Sequence, residues 1–134
     1  HPTAIALTLA GLRKRVGAAR ILAVLEPRSN TMKLGTMKAA LPASLHEADR
    51  VFCYGAPSGK SALGWDPAEA LAALGERARS FHDIDALVAA VTQAARPGDH
   101  VLVMSNGGFG GVHGKLLDAL ALRDLAALPP EQRA

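Results

Sequence analysis

Two polar stretches, each directly after an apolar run, hold the residues whose types and spacing best suit chemistry. Arg28, Ser29, Asn30, Thr31 and Lys33 follow the run ILAVL at 21–25, and Ser105, Asn106, Gly107, Gly108, Phe109, Gly110 and Gly111 follow VLVM at 101–104. The Arg28 guanidinium can grip a carboxylate or phosphate through two parallel N–H bonds, with Lys33 adding charge and the neighbouring hydroxyl and amide groups adding donors. In the second stretch Ser105 and Asn106 offer side-chain hydrogen bonds. Its four glycines around Phe109 expose backbone N–H groups just before a helical pattern beginning at Val112, an arrangement that suits an anion. His113, at the start of that helix, either reaches the same ligand or points to water. This is binding chemistry: no Ser-His-Asp or Cys-His set can be assembled, and no catalytic residue is assigned.

Other motifs fall short when tested against their mechanics. Gly55, Gly59, Lys60 and Ser61 resemble a phosphate-wrapping P-loop, but three residues separate the glycines where four are needed, and Trp65-Asp66-Pro67 delays the helix. The glycines at 107, 108, 110 and 111 fit no register of the dinucleotide fingerprint. His46, His82 and His100 lack a partner at metal-ligand spacing and are read as structural or surface residues, so no metal site is assigned. Trp65 serves equally well as a loop anchor or a stacking platform.

The elements that must position these residues follow from hydrophobic periodicity. Ile5, Leu9, Leu12 and Val16 line one face of a helix that ends on Arg13, Lys14 and Arg15, with Gly17 as its stop. Residues 21–25 read as a buried strand, 34–48 as a helix bent at Pro42, and 50–54 as a second strand. Asp66 and Pro67 open a short helix over 68–74, 78–81 is a brief strand, and Asp83 caps a helix with Ile84, Leu87, Val88, Val91 and Ala95 on one face. Residues 101–104 are expected to be buried on both sheet faces, the last helix to span 112–122, and 128–131 to form a frayed tail. Helix and strand alternate four times, so the fold class is α/β, a Rossmann-like three-layer domain with a mostly parallel sheet. Beginning on a helix is unusual for that class and leads to the expectation that a strand before His1 was cut away. Ligands of such sheets bind beyond the carboxyl ends of the strands, which selects the loops 26–33, 55–65 and 105–111.

Composition narrows the class of partner. The 134 residues, 13.9 kDa, form one domain over 1–134, and an apolar share of 49% argues against disorder. A net charge of +3 with only 4% aromatic residues and no run of five like charges favours a small anion over nucleic acid. No apolar run is long enough for a membrane span. Cys53, inside an apolar strand, reads as a buried small hydrophobe in a reducing compartment. A chain that starts with His rather than Met is expected to be part of a longer protein.

Three segments in matching order carry a more specific resemblance: HPT at 1–3, EPRSNTMKLG at 26–35 and SNGGFGG at 105–111. Together they resemble the C-terminal domain of the Mur ligase family over essentially the whole chain. That resemblance implies a cytoplasmic, three-domain, ATP-dependent amide-bond ligase. The member whose motifs match best joins the murein tripeptide L-alanyl-γ-D-glutamyl-meso-diaminopimelate to UDP-N-acetylmuramate in peptidoglycan recycling. The N-terminal domain of the family holds the UDP-sugar, and the central domain carries the true P-loop and most contacts to ATP and Mg²⁺. The C-terminal domain presents the incoming amine and completes the ATP site. On this reading Arg28, Ser29, Asn30, Thr31, Lys33, Ser105, Asn106, the segment Gly107 to Gly111 and His113 bind substrate. His1, Pro2 and Thr3 lie on the cofactor side, and this chain begins inside the family's acidic, His-containing motif before HPT. The isolated domain is expected to be inactive. A stand-alone Rossmann-like module for a nucleotide or sugar phosphate, and a purely structural interaction domain, remain the alternatives.

Overall fold

Ile21–Glu26 (β1), Arg50–Tyr54 (β2), Ala78–Phe81 (β3) and His100–Ser105 (β4) form one all-parallel sheet in the order β3-β2-β1-β4. The computed structural model describes residues 2–27, 34–56, 63, 65–105 and 107–133. Side chains alternate across the sheet with the period of two that extended backbone imposes. Ile21, Ala23, Leu25, Val51 and Cys53 therefore face one buried layer, and Leu22, Val24 and Phe52 the other. Helices Pro2–Val16 (α1), Leu34–Ser44 (α2) and Pro67–Ala70 (α3) belong to the first layer; Ile84–Ala94 (α4) and Val112–Ala127 (α5) cover the second. This is the expected three-layer α/β arrangement, with β1 at its centre buried from Ile21 to Leu25.

Local chemistry explains where the elements begin and end. The Asp66 carboxylate accepts from the Ala68 N–H at 3.0 Å, and the Asp83 carboxylate from the Ala86 N–H at 2.8 Å, so both expected N-caps are formed. Pro42 lies inside α2, and that helix ends at Ser44 rather than 48. There the Ser44 hydroxyl donates to the Leu41 carbonyl at 2.6 Å, a local bond that competes with the helical ladder. The helix expected over 68–74 divides at Leu71 into α3 and a 3-10 segment, Ala72–Arg77, within which Gly75, at φ 57°, redirects the chain ahead of β3.

Three expectations need correction. Residues 101–104 are only half-buried, since β4 is an edge strand paired on one side by β1. Helix α5 continues to Ala127, past its last fully buried residue at Leu116, because Ala119 still packs on the core and Arg123 donates to the carbonyls of Thr92 and Ala95 at the end of α4, at 2.7 and 2.6 Å. The segment after it is not simply frayed: Pro130–Gln132 forms a 3-10 turn, and Arg133 donates to the carbonyls of Ala126 and Leu128 at 2.8 and 2.7 Å.

Charged staples hold the amino edge of the sheet. Asp49 accepts from the Ile21 N–H and from Arg13, both at 2.8 Å. Arg20, leading into β1, makes a two-pronged ion pair with Asp99, leading into β4, at 2.6 and 3.1 Å. The same guanidinium donates to the last-turn carbonyl of Ala94 at 2.8 Å, tying strand starts to the end of α4.

Candidate substrate-binding crevice

Because β2 and β3 lie on one side of β1 and β4 on the other, the sheet reverses its order between β1 and β4. In open parallel sheets this is where the connecting helices part to opposite faces and leave a crevice at the carboxyl edge. Glu26, the last residue of β1, is registered directly against Ser105, the last residue of β4. The Ser105 hydroxyl donates to Glu26 Oε1 at 2.8 Å and accepts from the Gly107 N–H at 3.0 Å. The loop leaving β4 is thus pinned to the end of β1 at its first turn. Sequence reading gave Glu26 no role beyond opening its loop, because the partner that engages it is 79 residues away.

The glycine loop is anchored from below. Phe109 adopts φ 48°, the left-handed region that costs a non-glycine residue about 1–3 kcal/mol. Its ring is 3% exposed and lies 5.9 Å from that of Tyr54, inside the layer formed by α4 and α5. Burial of that ring offsets the strain and fixes the loop. Its side chain is therefore an anchor for the loop. Gly110 follows at φ 55°, and a Cβ there would meet Ile84 Cγ1 at 3.0 Å. Gly108 in right-handed and Phe109 in left-handed conformation form the alternation that turns successive N–H groups toward one concavity.

The other sequence-assigned residues are placed as follows. Gly107, Gly108, Gly110, Gly111 and His113 are exposed, the last in the first turn of α5. Pro2 is buried and Thr3 exposed in the first turn of α1. That helix spans about 22 Å by its 1.5 Å rise and returns to β1 through a four-residue turn, so its start reaches the carboxyl edge of the sheet. His1, Arg28, Ser29, Asn30, Thr31, Lys33 and Asn106, with the P-loop-like residues Gly59, Lys60 and Ser61, lie outside the described residues. Glu26, registered against Ser105, is the end of β1 at the crevice.

Beside the crevice, Gly55 closes β2: its N–H donates to the Phe81 carbonyl at 2.9 Å, and its own carbonyl is 2.8 Å from His82 Nδ1. A Cβ on Gly55 would lie 2.8 Å from Pro67 Cγ, so only glycine permits this approach. Trp65 is 8% exposed and packs with Leu71 and Cys53, which makes it a loop anchor. Among the described residues, no group of three or more His, Cys, Asp or Glu is placed to hold a metal.

Residues 1–107 match the family model of the Mur ligase, glutamate ligase domain. The chain belongs to the Mur ligase family. This Mur ligase C-terminal domain is 53% identical, over 95% of its length, to the Escherichia coli K12 UDP-N-acetylmuramate–L-alanyl-γ-D-glutamyl-meso-2,6-diaminoheptandioate ligase. The Haemophilus influenzae ligase of the same name is 46% identical over 92% of the chain. The chain spans about a quarter of those relatives, 27% and 26% of their lengths. Among solved structures, the murein peptide ligase of Psychrobacter arcticus superposes with a TM-score of 0.76 at 35% identity, over 90% of this chain and 25% of that one. A domain from a candidate ligase of the same specificity in Haemophilus ducreyi, crystallised by itself, gives a TM-score of 0.73 at 48% identity. It is matched over 90% of this chain and 84% of its own. No described helix is long and apolar enough to cross a membrane.

Proposed function

We propose that this domain presents the murein tripeptide in a cytoplasmic, ATP-dependent ligase that joins it to UDP-N-acetylmuramate during cell-wall peptide recycling. The observation that carries this reading is the pairing of Glu26 and Ser105, the first residues of the two motifs of the family resemblance, which meet at the ends of β1 and β4 through a hydrogen bond. The tripeptide carries several carboxylates and a nucleophilic amine. Arg28 and Lys33 grip the carboxylates, and backbone N–H groups between Gly108 and Gly110 donate to a further anionic oxygen, those of Gly107 and Gly111 being used within the loop. Ser105 is held with its proton toward Glu26, so its hydroxyl positions the peptide rather than attacking it. Glu26, the carboxylate at the crevice floor, attracts the cationic end of the peptide and keeps its amine near the edge that meets the rest of the enzyme.

In this reading ATP supplies the phosphoryl group that activates the sugar carboxylate, and it and Mg²⁺ are held mainly by another domain of the full-length protein. The start of α1 has no acidic residue in its first turn and lies at the crevice edge, which fits an anionic cofactor approaching Pro2 and Thr3. Domain closure then aligns the amine and excludes water.

Backbone amide NMR of the labelled chain, titrated separately with tripeptide, ATP and NADH, tests the assignment. Tripeptide shifts confined to 26–33 and 105–113 are expected. Selective nucleotide or NADH binding with a silent tripeptide would replace this reading by the stand-alone nucleotide module.

A further inference from the structure

The amino edge of the sheet, opposite the crevice, carries a second concentration of cationic groups. In β1, β2 and β3 the stripe facing α4 opens on an arginine: Arg20 before Leu22 and Val24, Arg50 before Phe52 and Tyr54, Arg79 before Phe81. Parallel pairing sets these strand starts side by side, with Leu22 opposite Arg50 and Phe52 opposite Arg79. The C-terminal end of α4 adds Arg96, and the 3-10 segment before β3 adds Arg77. All five line one cavity of about 250 Å³.

Two of the five are committed to structure. Arg20 is paired with Asp99, and Arg77 donates to the carbonyls of Ala48 and His46. The other three are exposed. Arg79 lies over the Phe81 ring at 5.1 Å, and neither Arg50 nor Arg96 has a hydrogen-bonded acceptor for its guanidinium among the described residues. Glu76 is the one acidic residue lining the cavity, and it makes no ion pair among the described residues. Like charges gathered around one concave space repel one another, and an anion entering it relieves that repulsion.

We propose that this cavity binds a small, multiply charged phosphate anion, at a site separate from the crevice of the proposed ligase reaction. Its volume is below the roughly 300–1,000 Å³ of sites that enclose drug-sized ligands, so it takes a phosphate or diphosphate group rather than a whole nucleotide. The cations converge from two strands and a helix end. A tetrahedral phosphoryl group offers oxygens in all those directions, whereas a planar carboxylate satisfies one guanidinium fork.

The test titrates the labelled 134-residue chain, the counterpart of a domain crystallised by itself, with inorganic pyrophosphate and, separately, citrate. Saturable pyrophosphate shifts at 50–52, 76–79 and 93–96 are expected, with at least tenfold weaker binding in Arg50→Gln and in Arg96→Gln. Lys14→Gln removes the same charge from exposed α1 and should leave the affinity unchanged. Using two single variants, each checked by circular dichroism, separates loss of binding from loss of fold. Shifts at the crevice instead, equal weakening by Lys14→Gln, tighter binding of citrate than pyrophosphate, or no saturation would each overturn the proposal. Failure of the tripeptide titration would not touch it, since the two readouts lie at opposite edges of the sheet.

Discussion

The Arg20–Asp99 pair shows how a single contact sets a condition for stability. The Asp99 side chain is only 7% exposed, and the hydrogen bond from Arg20 holds its carboxyl below the usual range despite the opposing effect of burial. For Asp49, burial pushes the pKa upward, but the Ile21 N–H and Arg13 outweigh it and the net shift is again downward. A depressed native pKa means that the unfolded chain binds more protons as the medium is acidified. Both contributions are therefore complete above the unfolded value of about 3.9 and are lost as pH falls through the native values. Urea midpoints should fall on acidification below about pH 4, and Asp99→Asn should flatten that limb while lowering stability at neutral pH by about 1–3 kcal/mol. An unchanged acid limb in the variant would remove Asp99 from the account. At the proposed site, Arg28→Ala in the full-length enzyme should raise the KM for tripeptide severalfold with little effect on that for UDP-N-acetylmuramate. Unchanged tripeptide kinetics would end the assignment of Arg28.

At the scale of elements, the β4–α5 connection joins two requirements in one loop. Its entry is held by the Glu26–Ser105–Gly107 chain and its exit by the buried Phe109 ring, and between them the backbone takes left-handed conformations at 109, 110 and 111. Gly110→Ala adds a Cβ at φ 55° and presses it toward Ile84 at 3.0 Å, the first residue of α4. The left-handed conformation alone costs about 1–2 kcal/mol. The denaturant midpoint should fall accordingly, and in the full-length enzyme the tripeptide KM should rise as the loop shifts. A variant with native stability would show that Ile84 and the loop backbone yield without cost.

For the whole molecule, the parallel sheet separates two charged edges by the length of its strands. The carboxyl edge brings together Glu26 and Ser105 at the ends of β1 and β4; the amino edge collects arginines and the staples that hold the strand starts. On the proposed reading this domain presents one substrate while the other is activated elsewhere in the full-length protein. The 134-residue chain by itself should therefore show tripeptide-dependent amide shifts and no product by mass spectrometry when given ATP, Mg²⁺, UDP-N-acetylmuramate and tripeptide. Product formation by the isolated chain would overturn the proposed division of labour.

Element order, caps and the parallel class were legible in the sequence because they depend on short-range periodicity: ILAVL could only be a buried strand, and Asp83 ahead of an amphipathic run could only start a helix. The strand ends that lead into the two motifs, at Glu26 and Ser105, were legible for the same reason. Strand order was not, and it decides the crevice. Only the placement of β4 beside β1, rather than beyond β3, sets Ser105 against Glu26. The split of the helix before β3 and the inward ring of Phe109 likewise depended on tertiary packing. Local patterns fix what each segment wants to bury, but contacts between residues far apart in the chain are chosen by how the layers pack together.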